Sequence, residues 1–297
     1  MPEVRQLRTV RAVSIVTLVS QIVIVLTGGL VRLTESGLGC TDWPHCTPDA
    51  FFPVPEHGIH GFIEYANRVW GAVVIGISLW MLVLAFLHRA RPGGRRILTL
   101  AILVAAVTLL QGLIGAIVVW MELRPDTVGI HFGLSVLLVV MSSMLVWRVF
   151  TGARGPLAVT RLQQLLTRAT AVAFALVVVM GTLTTGAGPH AGDGGAVRNG
   201  LDPVVMSHLH AWPSYALGIL SLTIAVLAAR NARSNRAHML STAALLAGCL
   251  LQMIIGIIQS NTGLPIALVA IHMIGSVLTA AAMAFAYVTM HGRAATA

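Results

Sequence analysis

The sequence predicts an all-α polytopic membrane protein, with eight transmembrane helices as two pseudo-symmetric four-helix bundles and a cytoplasmic N-terminus. Three observations predict it. The composition is 57% hydrophobic and only 10% charged, with a mean hydropathy of +0.86, where a soluble domain carries about a quarter charged residues. Apolar runs fall at 12–31, 69–87, 97–120, 129–149, 169–187, 209–229, 239–260 and 266–290. Each is about 20 residues, enough to cross a hydrocarbon core about 30 Å thick. Finally, a group of residues in one half recurs 141 positions later in the other.

The first run follows Arg5, Arg8 and Arg11. Its flank resembles a signal peptide, but the run is longer than an h-region and no small-x-small cleavage site follows. It reads as an uncleaved first span. It leads into "GGLVRLTESGLGCTDWPHC", 28–46, which carries Cys40 and Cys46, two of the three cysteines. With the N-terminus inside, fifteen of the 19 arginines fall in inner segments, and only Arg32, Arg68, Arg124 and Arg198 fall in outer ones. That is a strong positive-inside bias. The acids sort the other way, with Glu3 the single inner one. Cys40 and Cys46 then face the oxidising side, where a disulfide is favoured. The competing reading is a metal site with His45 as third ligand, and it lacks a fourth ligand at the usual spacing. Cys249, in the seventh run, reads as a small buried hydrophobe. Every basic residue other than histidine is Arg. None alternates with aromatics to make a base-stacking surface, so the charge is read as loop bias and no nucleic-acid partner is expected.

The third, fourth, seventh and eighth runs carry the repeat. Leu110, Gln111, Gly115 and His131 recur as Leu251, Gln252, Gly256 and His272, and Arg95 recurs as Arg236. An even number of spans per half keeps the halves in the same orientation, related by an axis along the membrane normal. The halves, 1–152 and 153–297, join within "FTGARGPLAVTRLQ", 150–163.

Of the eleven histidines, His45, His57, His60 and His190 fall in outer loops and read as solvated, while His88, His238 and His291 sit at inner helix ends. His131, His208, His210 and His272 instead open even-numbered spans among apolar residues. An ionisable group inside a span is costly and points to function. A lone histidine satisfied by a nearby Ser or carbonyl is the plain alternative, and recurrence at one depth weakens it. Two imidazoles on facing helices can clamp a haem iron. His210 and His272 form such a pair in the second half, with His208 competing for the place of His210. In the first half His131 matches His272, but the position at the start of span two is Asn67. That half offers one helix histidine and a more open site. Glu64, one turn before Asn67, is a candidate base or stabiliser of a cationic intermediate; the plain alternative is an acid favoured by a helix N-terminus. Arg32 and Arg68 are candidates for haem propionates or for loop acids.

These stretches resemble a known family. "GGLVRLTESGLGCTDWPHC", "GFIEYANR", "GIHFGLS", "TTGAGPHAGD", "HLHA" and "IHMIGS" are similar to haem A synthase over nearly the whole chain. The resemblance implies an eight-span oxidoreductase of cytochrome oxidase assembly, which oxidises the C8 methyl of haem O to a formyl. It implies a haem b cofactor between His210 and His272, haem O as substrate beside His131 and the catalytic Glu64, and a Cys40–Cys46 disulfide. It also implies a multi-pass cell-membrane protein with its sites toward the extracytoplasmic face, working with an electron donor and with haem O synthase as a candidate partner. Two departures stand out. The family's E-x-x-H-R pattern here reads "EYANR", with Asn67 in place of His, and the third outer loop, 188–206, lacks a second cysteine pair and carries His190 and Asp193. A di-haem cytochrome b that moves electrons is the alternative function. It calls for haems at two depths, whereas the candidate ligands lie near one face. A transporter fits the parallel repeats but expects charge at the midplane.

Overall fold

The computed structural model describes residues 2–233 and 235–293. The side chains of Glu3, Arg5 and Arg293, which enter the charge asymmetry, lie outside that description. Among the described residues, eight helices are long and apolar enough to cross a membrane. They are α1 (Pro2–Leu33), α2 (Gly58–Leu87), α3 (Gly94–Trp120), α4 (Pro125–Thr151), α5 (Arg161–Ala187), α6 (Pro203–Arg230), α7 (Arg236–Asn261) and α8 (Ile266–Val288). The protein is therefore a multi-pass, all-helical membrane protein. Two short strands, β1 (Arg154–Leu157) and β2 (His291–Arg293), pair antiparallel at the end of the bundle opposite His131, His210 and His272.

The helix starts follow local chemistry. Pro125 and Pro203 open α4 and α6, where their missing N–H costs nothing. Thr160 and Gln163 form a reciprocal capping box on α5, and Asp202 accepts from the Val204 and Val205 amides on α6. One start departs from expectation. α2 begins at Gly58, well before the apolar run at 69, because "GIHGFIEYAN" is helical while its polar residues lower the hydropathy. Glu64 and Asn67 therefore lie within α2 rather than at its edge.

In one half α1 packs on α2 and α4, and α3 lies against α2 and α4; in the other, α6 packs on α5 and α7, and α7 on α8. The two sets meet where α8 crosses α4 and α1. Val277 and Ala280 of α8 are buried in the cluster that spans this contact, and small side chains let helices approach closely in lipid. The core continues through this contact, joining Val25, Val136 and Val139 to Leu245, Val277 and Ala280. Inside the first half Gln21 Nε2 donates to Thr108 Oγ1 at 2.9 Å, tying α1 to α3 by a buried polar bond. Outward-facing side chains such as Val172, Ile219 and Leu87 are exposed, as a lipid-facing surface requires.

The sequence repeat has structural counterparts. Gln111 Nε2 donates to the His131 carbonyl at 2.9 Å, and Gln252 Nε2 to the His272 carbonyl at 2.7 Å. The turn after α3 places Glu122 and Leu123 at φ 50° and 61°; the turn after α7 places Gly263 and Leu264 at φ 76° and 58°.

Candidate functional site

α6 and α8 bring His210 and His272 opposite one another, with ring centroids 6.5 Å apart and ring planes inclined at 74°. An imidazole–metal–imidazole axis spans roughly 6 Å between ring centres, from metal–nitrogen bonds of about 2 Å plus about 1 Å on each side. Both rings leave Nδ1 buried with no hydrogen-bond partner. Facing helices make room for them. A Cβ on Gly181 of α5 would stand 3.0 Å from His210 Cε1, and one on Gly256 of α7 would stand 3.4 Å from His272 Cε1. The rings line a cavity of about 640 Å³, within the size range of cofactor sites. Its walls also include Arg32 of α1 and Phe132 of α4. Paired imidazoles, orphaned ring nitrogens and an apolar cradle fit a planar metal macrocycle held from both sides. His208 lies on the same wall, but its Nδ1 bonds its own helix at the Val204 carbonyl, 2.8 Å away.

The first half has a related but unequal arrangement. His131 Nδ1 is buried without a partner, and a Cβ on Gly115 would stand 3.8 Å from its ring. Asn67 does not supply a ring; its Oδ1 accepts from Thr27 Oγ1 at 2.7 Å.

Glu64, one turn before Asn67 on α2, is 4% exposed. Its Oε2 accepts the Cys40 amide at 2.5 Å, and its Oε1 accepts from Arg68. Arg68 also donates to the Cys40, Asp42 and His45 carbonyls at 3.1, 2.6 and 3.0 Å. Cys40 and Cys46 are joined in a disulfide. The i, i+4 pair on α2 therefore carries the disulfide loop. Arg68 meets the loop's carbonyls and the helix acid Glu64, where the sequence suggested loop acids or propionates.

One loop histidine differs from the solvated reading: His190 Nε2 bonds the Leu264 carbonyl at 2.9 Å while lining the cavity. His60 falls in the first turn of α2 and is exposed, with its Nδ1 bonded to Ser36 Oγ at 2.9 Å. Sequence reasoning missed the glycines of the odd helices that face each ring. Their one available signal was that Gly115 and Gly256 stand at the repeat offset.

Fold and site together define a multi-pass membrane protein with a paired-imidazole cavity at one end of its helices. A family model described as COX15-CtaA, cytochrome oxidase assembly protein, matches residues 11–284. The chain belongs to that family. It is similar to the haem A synthase of Rhizorhabdus wittichii, 26% identical over 314 aligned positions that cover 89% of this chain and 88% of the relative. It is also similar to those of Exiguobacterium sibiricum, 35% identical over 133 residues, and Bacillus pumilus, 30% over 145. These two alignments cover 43% and 48% of this chain, and less than half of each relative, 41% and 46%.

Proposed function

We propose that the chain is a haem A synthase, an oxidoreductase that converts the C8 methyl of haem O to a formyl through successive hydroxylations and loss of water. The observation that carries this reading is the pair His210 and His272, which line one cavity with ring centroids 6.5 Å apart; His131, with its buried unpartnered Nδ1, and the buried Glu64 are taken as the unequal counterpart in the first half. Family membership supports it. Residues 153–297 form the cofactor bundle and 1–152 the substrate bundle, related by a pseudo-two-fold axis along the membrane normal. The matched turns and the matched Gln-to-His carbonyl bonds support that relation. The charge asymmetry supports a cytoplasmic N-terminus, and with it sites toward the extracytoplasmic face of the cell membrane.

His210 and His272 would hold haem b, which when bound supplies one-electron transfer. Gly181 and Gly256 keep the two rings in place. His131 orients the substrate haem from α4, its helix backbone fixed by Gln111. Asn67, already engaged by Thr27, leaves the opposite face without an imidazole. Both oxygens of Glu64 have donors, so its part is to hold a fixed negative charge near the reacting methyl. That favours stabilisation of developing positive charge over proton shuttling. The disulfide loop, anchored through Arg68, covers this site and keeps water from it. Each hydroxylation removes two electrons from the methyl, so an external oxidant acts alongside the electron donor, and haem O arrives from the enzyme that makes it.

The test is a dithionite-reduced absorption spectrum of the purified chain, with acid extraction and chromatography of its haems. Haem B together with haem O or haem A is the expected result. Haem B alone, with no conversion of added haem O, would favour an electron-transferring cytochrome b. Absence of haem after expression with ample haem would overturn the histidine-ligand reading.

A further inference from the structure

Arg32 is the last-turn arginine of α1, in the first half of the chain, yet it lines the cavity of His210 and His272. Its Nη2 donates to the Thr185 carbonyl of α5 at 3.1 Å, and its Nε is buried with no partner. The charge that acts on it is another cation, Arg198. Arg198 donates to the carbonyl of Pro189, a residue that lines the cavity, as does Val197 beside it in sequence. Among the described residues neither arginine pairs with a carboxylate; the ion pairs there are Glu64–Arg68 and Arg124–Asp126. Like charges held together, one with an unmet buried donor, are unfavourable unless an anion joins them. His210 lies seven residues into α6, about 10 Å along its axis. The imidazole level is thus one layer inside the arginine level.

We infer that Arg32 and Arg198 form a carboxylate subsite, which holds the propionate edge of the porphyrin clamped by His210 and His272. The inference rests on the haem reading of that cavity. It adds a specificity element to it: the subsite requires free carboxylates and sets which edge of the macrocycle points to the mouth. Because Arg32 comes from α1, the first half of the chain helps hold the ligand of the second. A guanidinium is suited to this, since its planar fork meets a carboxylate through two parallel bonds. The shared chemistry is an anionic oxygen pair, which a phospholipid phosphate also offers.

The test uses the full-length chain freed of haem and titrated with haem B or with its dimethyl ester. Wild type should bind haem about tenfold tighter than the ester, the scale of a charge-assisted hydrogen bond. In Arg32→Gln that preference should vanish, while the low-spin reduced spectrum of the paired imidazoles remains. Arg198→Gln, at an exposed position, should reduce the preference partway, and Arg32→Lys should retain part of it. An undiminished preference in both glutamine variants overturns the subsite. So does equal binding of haem and ester by wild type, the result expected if a lipid phosphate occupies the arginines. Failure of wild type to bind either porphyrin with a low-spin spectrum would instead overturn the haem reading, and the subsite with it.

Discussion

Glu64 is an acceptor on both oxygens, buried, and within one turn of the residue that stands where a second haem ligand is expected. The carboxylate proposed to carry charge for the reaction also accepts the Cys40 amide, so two roles meet in one side chain. Glu64→Gln separates them. The amide keeps an acceptor for the Cys40 N–H and removes the charge. Turnover of haem O should fall by about a hundredfold or more, with haem b content and the reduced spectrum unchanged. Losing the charge opposite a buried Arg68 also destabilises the fold, by about 3 kcal/mol, so a thermal melt belongs beside the assay. If haem b disappears along with activity, Glu64 is scaffold for the loop and not part of the chemistry. The residue type and its place near Asn67 were legible in the sequence. The bond to Cys40 was not, since it joins positions 24 apart through a loop whose path no periodicity specifies.

At the scale of elements, odd helices supply space and even helices supply side chains. Gly115 and Gly256 face His131 and His272, and Gly181 faces His210. Gly181→Ala places a methyl 3.0 Å from the His210 ring, closer than ordinary contact. The ring must give by a few tenths of an ångström, which disturbs its alignment with His272. Gly71→Ala on α2 meets nothing within 4 Å and is the control; alanine is also the better helix former. The expected result is a reduced haem b band weakened several-fold or shifted to a high-spin form in Gly181→Ala, and a wild-type spectrum in Gly71→Ala. Equal spectra would show that the ring has room to move. The helices themselves were legible because long apolar runs admit one structure in lipid. The start of α2 was not, because Gly58 to Asn67 is helical without being apolar. The glycine contacts were also hidden, since a glycine in an apolar helix looks alike whether it faces a ring, a neighbour or lipid. Arg32 was legible as a candidate for an anion. Its reach across 153 positions to Thr185 comes only from the tertiary fold.

For the whole molecule, the division at 152–153 is one of ligands but not of cavity walls. His210 and His272 come from the second half, while Gly29, Arg32 and Phe132 of the first half close the space around them. A Cβ on Gly29 would fall 1.7 Å from the methyl of Met273, the neighbour of His272. α1 is thus pressed against the ligand-bearing turn of α8. In lipid this contact gains little from burial alone, because acyl chains are as apolar as the side chains they replace. Its strength comes from close packing along Val277 and Ala280. Such an interface can re-form between separate chains if the break spares the strand pair, where the Ala158 amide donates to the Met290 carbonyl at 2.8 Å. A break after Gly152 does so, as β1 begins at Arg154. Fragments 1–152 and 153–297 expressed together should copurify and show the reduced spectrum of the intact chain. Fragment 153–297 alone keeps both histidines but opens the cavity on the side of α1 and α4, and should lose haem to apomyoglobin about tenfold faster or more, having lost the charge-assisted bonds of Arg32. If the lone fragment retains haem as firmly as the pair, the first half does not help hold that ligand, and the two bundles are independent at this site.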